Sequence, residues 1–377
     1  MAKHVVLVGA GHAHLLTISE CAEYIEAGHR ITVVSAGRYH YYSGMGPGLL
    51  SGIYRPQEVR FHVARLARSR GATFIEDEVI SINPETRLLG LRSGREVAYD
   101  VVSFNTGSQV AAGSLAGSPD HIFTVKPVEN LYQAHCRISE ALKQGTVRVV
   151  VIGGGAAGVE IAGNARQIGT AGKGRVEVTL VSRGEILSGF IPRVRSRVRH
   201  KMAASGIEVV ENMSVKSFQN RVCRLEDNRE IPFDFAFVAT GIRPHSLFAD
   251  SRLPTAADRG LLVNEYLQSV QYPEIFGGGD CIHFRPRALK RVGVYAVRQS
   301  PILFHNLLAF AAGRSLSIFK PQQDYLLILN MGDGTGLLNK KFLVLDGRLA
   351  FKIKDHIDRK FVKYFQLSGE LTEGGDG

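Results

Sequence analysis

The sequence predicts an α/β chain made of two successive strand–turn–helix units with parallel sheets, followed by a small α+β region at the carboxy end. Three observations carry this. Residues 5–16 read VVLVGAGHAHLL, where a β-branched run meets a glycine-rich turn and then an apolar helix. Residues 147–162 read VRVVVIGGGAAGVEIA and repeat the pattern with Gly153, Gly155 and Gly158 in register. Two further strands, YDVVSFNTGS and FDFAFVATGIRP, each run into a Thr-Gly pair, one after each unit. Strand, G-x-G-x-x-G turn and helix in that order open a Rossmann unit, so the fold class is two Rossmann-like dinucleotide-binding domains of three layers (ββα) plus the carboxy-terminal region.

The bulk properties agree. A chain of 377 residues exceeds one ordinary core, and 45% hydrophobic residues with a mean hydropathy near zero fit a soluble globular protein. No run reaches the roughly 20 apolar residues that span a bilayer and no leader-like segment opens the chain, so a cytoplasmic location is expected. Cys21, Cys136, Cys223 and Cys281 lie far apart, without C-x-x-C or metal-ligand spacing. Free thiols in a reducing compartment follow, and zinc or disulfide chemistry does not. The net charge is +11, and its densest stretch, Arg193, Arg195, Arg197, Arg199 and Lys201, alternates with small apolar residues. That alternation reads as the wet face of a helix, and with no recognition motif beside it nucleic acid is not an expected partner.

In the first unit Gly9 permits the tight turn and Gly11 lets the backbone approach a pyrophosphate held by the helix start. The helix is expected to continue through Ile18, Cys21 and Tyr24. His14 replaces the third glycine, and His12 and His14 are either structural or neighbours of the phosphates, since a metal site would need further ligands. Ala13, Val79, Thr106 and Gly107 complete the residues expected around this dinucleotide. The carboxylate that usually ends the second strand is absent, Ser35 standing there in ITVVSAGR. Later, YPEIFGGGDCIHF places Asp280 after Gly277, Gly278 and Gly279. Asp280 and Gly279 would meet a ribityl hydroxyl and a phosphate, or make a plain turn.

The second unit has the three fingerprint glycines and Gly241 to line its dinucleotide, but again lacks the ribose acid, with Ser182 and Arg183 in VTLVSRGE. Arg183 either meets a 2′-phosphate, which would favour NADPH over NADH, or is a solvated surface charge. Glu160, in the first turn of this unit's helix, is favoured there by the helix dipole whatever else it does.

From about residue 325 DYLLILNMG and KFLVLDGRLAFKI read as strands joined by GDGTG, and a helix should follow over KIKDHIDRKFVKYFQ. In it Ile353, Ile357, Phe361 and Phe365 recur every four residues, with Lys354, Asp358, Arg359, Lys360 and Lys363 on the other faces. Such a basic amphipathic helix either lies on an anionic membrane or packs on its own strands or a second subunit. The tail GELTEGGDG, from Gly369, is expected to be disordered.

Taken in order, first fingerprint, Thr-Gly, second fingerprint, Thr-Gly and Gly-Asp, the chain resembles the FAD-dependent pyridine nucleotide-disulfide oxidoreductase superfamily over residues 4–320. GAGHAHLL, YYSGMGPGLLSGIY and VKPVENL further resemble its type II NADH:quinone oxidoreductase branch, and in particular the flavoprotein domain fused to selenophosphate synthetase. The resemblance implies FAD on the first unit, NADH or NADPH on the second, and a discontinuous FAD domain. Its parts would be residues 1–120 and 255–320, with the nicotinamide domain at 121–254 and a carboxy-terminal interface or membrane-surface region at 321–377. It also implies that the helix beginning at Gly293 starts beneath the flavin, with Gln299 either lining the acceptor pocket or buried as a satisfied amide. It further puts Glu160 beside the nicotinamide–flavin contact.

Disulfide reductases of the superfamily carry a redox cysteine where this chain has Tyr41, Tyr42, Ser43, Gly44 and Met45, so thiol-mediated transfer is not expected. Nor does any cysteine after Cys281 match those of sulfide:quinone oxidoreductases. The expected activity is hydride transfer from NAD(P)H to flavin and onward to a quinone or other small-molecule acceptor, at a membrane surface or in a homodimer. The alternatives are a reductase of selenium or sulfur species, and a flavin-binding partner protein whose nicotinamide site has decayed.

Overall fold

The computed structural model describes residues 1–110, 120–171, 174–340 and 343–372. The first unit is a five-stranded parallel sheet in the order Ile275–Gly277, Val101–Phe104, His4–Val8, Arg30–Ser35, Thr73–Glu76. Val5, Val6 and Leu7 of its central strand are fully buried, as a parallel strand covered on both faces requires. An antiparallel sheet of Val79–Asn83, Leu88–Leu91 and Glu96–Ala98 forms a second layer. The outermost strand, Ile275–Gly277, comes from far along the chain, after the second unit is complete. It delivers Gly278–Asp280 to the same sheet edge that carries Thr106 and Gly107.

The second unit repeats the plan. Its parallel sheet runs Ile122–Thr124, Phe235–Val238, Val147–Ile152, Val176–Val181, Ile207–Val210, with Val215–Gln219, Val222–Leu225 and Glu230–Pro232 as the antiparallel layer. Each unit has its own apolar cluster. A short antiparallel pair, Gln109–Val110 with Ile242–Arg243, ties together the two chain segments that follow the Thr-Gly turns. The basic stretch lies on the helix Pro192–Ala204, as expected, with Val194, Val198 and Met202 facing inward. Arg195, Arg197, Arg199 and Lys201 are each ion-paired, to Glu185, Asp346, Glu185 with Glu211, and Asp333 respectively.

Four expectations need correction. The first fingerprint helix does not run unbroken through Cys21: it is split into Leu15–Ser19 and Ala22–Glu26. Ser19 bonds back to Leu16 O, and the main chain turns tightly at Glu20–Cys21, where Glu23 and Tyr24 N–H groups reach the carbonyls three residues earlier. At the carboxy end the strand is only Leu343–Gly347, and RLAFKI already belongs to the helix Arg348–Phe365. Gly347, at φ +100°, makes the sharp reversal. A third strand, Gly336–Lys340, completes that sheet. The helix is also rotated by about one residue from the expected stripe: Lys354 and Asp358 are buried while Ile357 is exposed, with Ile353 and Phe361 partly buried and Phe365 buried. The tail is ordered as far as Thr372, because the buried Glu370 accepts the N–H groups of His62 and Ser368; residues 373–377 lie outside the described residues.

The carboxy-terminal region spans both units. Its hairpin sits on the second fingerprint helix, Ala156–Ala171, where a Cβ on Gly163 would lie 2.4 Å from Met331 O. Its helix sits on the first unit, through Tyr54 Oη to Asp355 (2.7 Å), Tyr42 Oη to Asp358 (3.0 Å) and Gln366 to the carbonyls of Gln57 and Arg60.

Candidate active site

One cleft of about 1270 Å³ runs between the units and takes in both glycine turns. Of the residues singled out in the sequence it is lined by Gly11, His12, Thr106, Gly107 and Asp280 on one side. On the other it is lined by Gly153, Gly155, Glu160, Ser182, Arg183 and Gly241. Tyr41 and Ser43, from the segment where disulfide reductases carry a cysteine, also line it, and among the described residues no cysteine does.

Asn105 holds the first turn together. Its Oδ1 accepts Ala13 N–H at 3.0 Å and its Nδ2 donates to Gly278 O at 2.7 Å, so one buried amide joins the fingerprint to the late Gly-Asp segment. A side chain on Gly9 (φ +84°) would strike Asn105 O at 2.4 Å, and one on Gly11 would strike Asn105 Oδ1 at 2.3 Å. These glycines keep the turn tight: the N–H groups of Gly9, Ala13 and His14 are taken by Val34 O, Asn105 Oδ1 and Gly11 O, while Gly11 and His12 face the cleft ahead of the helix, a shape that suits FAD's pyrophosphate. His14 is structural: it bonds Gly9 O at 2.6 Å and Ser103 Oγ at 2.8 Å. His12 pairs with His40 at 3.0 Å, and burial, helped by Lys126, pulls its pKa down to about 4, so the pair is neutral.

Lys126, which the motif reading left without a role, reaches from the second unit into the first. Its Nζ lies 2.6 Å from Asp280 Oδ2 and 3.0 Å from Ser108 Oγ, and Ser108 donates to the same carboxylate oxygen at 2.9 Å. Arg291 donates to Asp280 O at 2.9 Å and to Asp258 at 2.6 Å. The Gly-Asp loop is thus gripped from both units beside the amino end of the helix Gly293–Ala311, and Gly293 itself faces the cleft.

In the second unit Gly153 (φ +123°) passes Ala239 O so closely that a Cβ would lie 2.4 Å away, and Gly158 packs on Gly153 O at 1.7 Å by the same measure. Gly158 therefore acts in helix–strand packing and stays out of the cleft, whereas a Cβ on Gly155 would have nothing within 4 Å. Thr240 lines the cleft, and its Oγ1 is buried with no hydrogen-bond partner among the described residues. Ser182 is buried beneath Gly154, and Arg183 is exposed on the cleft wall.

Glu160 is half-buried on the cleft wall, and its carboxylate accepts Asn330 N–H at 2.8 Å. Burial pushes its pKa up to about 7, opposed by Lys354 and by that N–H and reinforced by Asp358. Lys354 is itself enclosed, donating to Gly44 O and to Asp358 at 2.6 Å each.

Several expected residues stay off the main cleft. Gln299 is buried and accepts Gly279 N–H at 2.7 Å, beside a separate cavity of about 40 Å³, so it braces the glycine loop as a satisfied amide and stands off the main cleft. Gly9, Ala13 and Gly279 shape the first turn from behind. Ser35, at the end of the inner strand beside the first turn and paired in register with Glu76, and buried Val79, at the start of the antiparallel layer, do not line the cleft either.

The family model described as pyridine nucleotide-disulphide oxidoreductase matches residues 3–299. Ferroptosis suppressor protein 1 of Taeniopygia guttata is 26% identical over 318 residues, covering 80% of each chain. The external alternative NAD(P)H-ubiquinone oxidoreductase B1 of Solanum tuberosum is 23% identical over 319 residues, 74% of this chain and 55% of that one. Among solved structures, NDH2 of Plasmodium falciparum in complex with NADH superposes with a TM-score of 0.82 at 12% identity, covering 99% of both chains.

Proposed function

The chain belongs to the pyridine nucleotide-disulphide oxidoreductase family, and on that premise we propose that it is an FAD-dependent NAD(P)H dehydrogenase that delivers electrons to a quinone-like acceptor. The observation that carries this reading is the shared cleft: both glycine turns open into it, Glu160 lines it, and no cysteine reaches it among the described residues. When bound, FAD supplies the hydride acceptor and the route by which the electron pair leaves. The chain's own work is positioning. The turns at Gly11 and at Gly153–Gly155 would hold the two pyrophosphates on helix starts, while Asp280, steadied by Lys126 and Ser108, would hold the ribityl chain. Glu160, in its charged form, would accept the carboxamide N–H of the nicotinamide, so binding weakens as pH falls below about 7. With no thiol beside the flavin, the acceptor must take electrons from the ring directly. A quinone can do so, and the potato relative is named an NAD(P)H-ubiquinone oxidoreductase.

Anaerobic mixing with NADH or NADPH tests the first half and should bleach the yellow protein. Addition of menaquinone or ubiquinone should restore the colour. Recovery with selenite or a polysulfide and with neither quinone would replace the acceptor, and no bleaching at all would leave a flavin-binding partner protein.

Arg183 is read as the 2′-phosphate contact. Arg183→Ala should raise the KM for NADPH about tenfold or more and leave that for NADH within twofold, because a charge-assisted contact to phosphate is lost only for NADPH. Equal effects on both nucleotides would return Arg183 to the status of a surface charge.

The outward face of the carboxy-terminal helix exposes Leu349, Ile357 and Tyr364 among Lys352, Lys360 and Lys363. No helix among the described residues is long and apolar enough to cross a membrane. This face suits the surface of an anionic bilayer, from which a lipid quinone would be drawn. At about 1 kcal/mol per lysine, the double variant Lys360→Gln, Lys363→Gln should bind anionic vesicles about 30-fold less tightly in a sedimentation assay. Unchanged sedimentation, or a concentration-dependent dimer that buries Tyr364, would assign the face to a second subunit.

A further inference from the structure

We propose that Asn164 and Asn330 are positioning residues that make the carboxy-terminal hairpin one wall of the nicotinamide site, by holding a main-chain N–H of the hairpin on the Glu160 carboxylate. The proposal rests on the reading of Glu160 as the polar group at the nicotinamide.

Glu160 belongs to the second unit, but the donor on its carboxylate, Asn330 N–H at 2.8 Å, lies 170 residues later, at the end of the strand Leu327–Asn330. The donor is kept there by Asn164, one turn beyond Glu160 on the same helix and fully buried. Its Nδ2 donates to Glu160 O (2.8 Å) and to Asn330 O (3.1 Å). Its Oδ1 accepts from Ser51 Oγ (2.8 Å) and from Asn330 Nδ2 (3.2 Å). Both donors and both lone pairs of the amide are used, so its orientation is fixed. Asn330 Oδ1 in turn accepts Gly332 N–H at 2.9 Å, closing the strand end onto its own turn.

Close approach of the two backbones is a precondition, and glycines supply it. A Cβ on Gly332 would lie 2.4 Å from Gly163 O, and one on Gly163 the same distance from Met331 O. Ser51 ends the helix Gly46–Ser51 of the first unit, so the two asparagines join the flavin-side unit, the nicotinamide-side helix and the hairpin at one point. An apolar seam would have held these parts together equally well. A saturated pair of amides sets an angle as well as a contact, and the group whose angle it sets is the Asn330 N–H on Glu160.

The charged groups facing Glu160 are Lys354 and Asp358, both on the carboxy-terminal helix that packs against this hairpin. The Asn330 N–H favours the charged carboxylate. Letting it drift removes that preference, so the ionisation of Glu160 moves to higher pH and the binding of NAD(P)H weakens at neutrality.

The test uses the full-length, FAD-loaded protein and follows the pH dependence of the NAD(P)H concentration that half-saturates anaerobic bleaching. In the parent protein the limb should lie near pH 7. In Asn164→Ala and in Asn330→Ala, the milder change because the N–H itself remains, the limb should move up by about one unit. Asp333→Ala removes the ion pair to Lys201 (3.0 Å) and the bonds from Thr335 at the tip of the same hairpin, without touching the amides, and should leave the limb in place. An unmoved limb in Asn330→Ala, or an equal movement in Asp333→Ala, overturns the proposal and makes the asparagines merely structural. Glu160→Gln should abolish the limb. If it does not, the reading of Glu160 itself has failed, an outcome distinguishable from failure of the asparagines alone.

Discussion

Gly155→Asp is expected to fold, to take up FAD and to stay yellow in the presence of either nicotinamide nucleotide. Most glycines of the two turns cannot report on ligand binding alone, because a side chain at Gly9, Gly153 or Gly158 collides with protein backbone and disturbs the fold itself. Gly155 differs: a Cβ there meets nothing within 4 Å, the position lines the cleft, and the helix Ala156–Ala171 starts immediately after it. The protein leaves that space beside the start of the helix, where the proposed nucleotide's pyrophosphate would lie. An aspartate both fills it and sets a negative charge about 4 Å from phosphate oxygens, a repulsion of about 4 kcal/mol at the effective dielectric of such a site, or roughly a 1000-fold rise in half-saturating NAD(P)H. The measurement is stopped-flow bleaching of the flavin absorbance alongside a count of bound FAD. Normal bleaching would show that the nucleotide does not lie on this turn, and loss of FAD as well would show that the two sites do not fold independently.

Both glycine turns, and the strands that feed them, were legible because their signal is local: a buried β-branched run, glycines at fixed spacing and a helix within a dozen residues. What holds the turns in place was not. Asn105 bonds to Ala13, 92 residues away, and to Gly278, 173 residues away, and nothing near FNTGS marks it as the hub. Lys126 stood in the VKPVENL stretch used for the resemblance, yet its contact with Asp280 depends on how the second unit meets the first. Gln299 was legible as a buried amide but not as the partner of Gly279, since that bond spans separate elements. The carboxy-terminal helix misled for a different reason. Its four-residue apolar spacing is genuine, but the stripe that turns inward is offset by one position, because burying the Lys354–Asp358 pair satisfies Tyr42 and Gly44 O, and periodicity alone carries no information about such partners.

That buried pair supports the second large effect, a separation of stability from ionisation. Lys354 and Asp358 have side chains only 11% and 7% exposed, so Lys354→Met leaves an uncompensated carboxylate in the interior and should cost about 3 kcal/mol, read as a lowered apparent Tm of the flavin-loaded protein. Adding Asp358→Asn removes the stranded charge and still offers Tyr42 an acceptor, so most of that loss should be regained. The nicotinamide site should not recover with it. Lys354 lowers the Glu160 pKa more than Asp358 raises it, so with both charges gone the net change remains upward from about 7. A rise of about one unit leaves roughly a fifth as much charged Glu160 at pH 7, so half-saturating NAD(P)H should be about fivefold higher in the double variant, higher still in the single variant that keeps the Asp358 charge, and in the double variant parental again above about pH 9. If the double variant regains both Tm and affinity, the pair is a structural strut whose charge the active site does not sense. If affinity stays impaired while Tm returns, the helix that closes the fold also tunes the group that receives the nicotinamide.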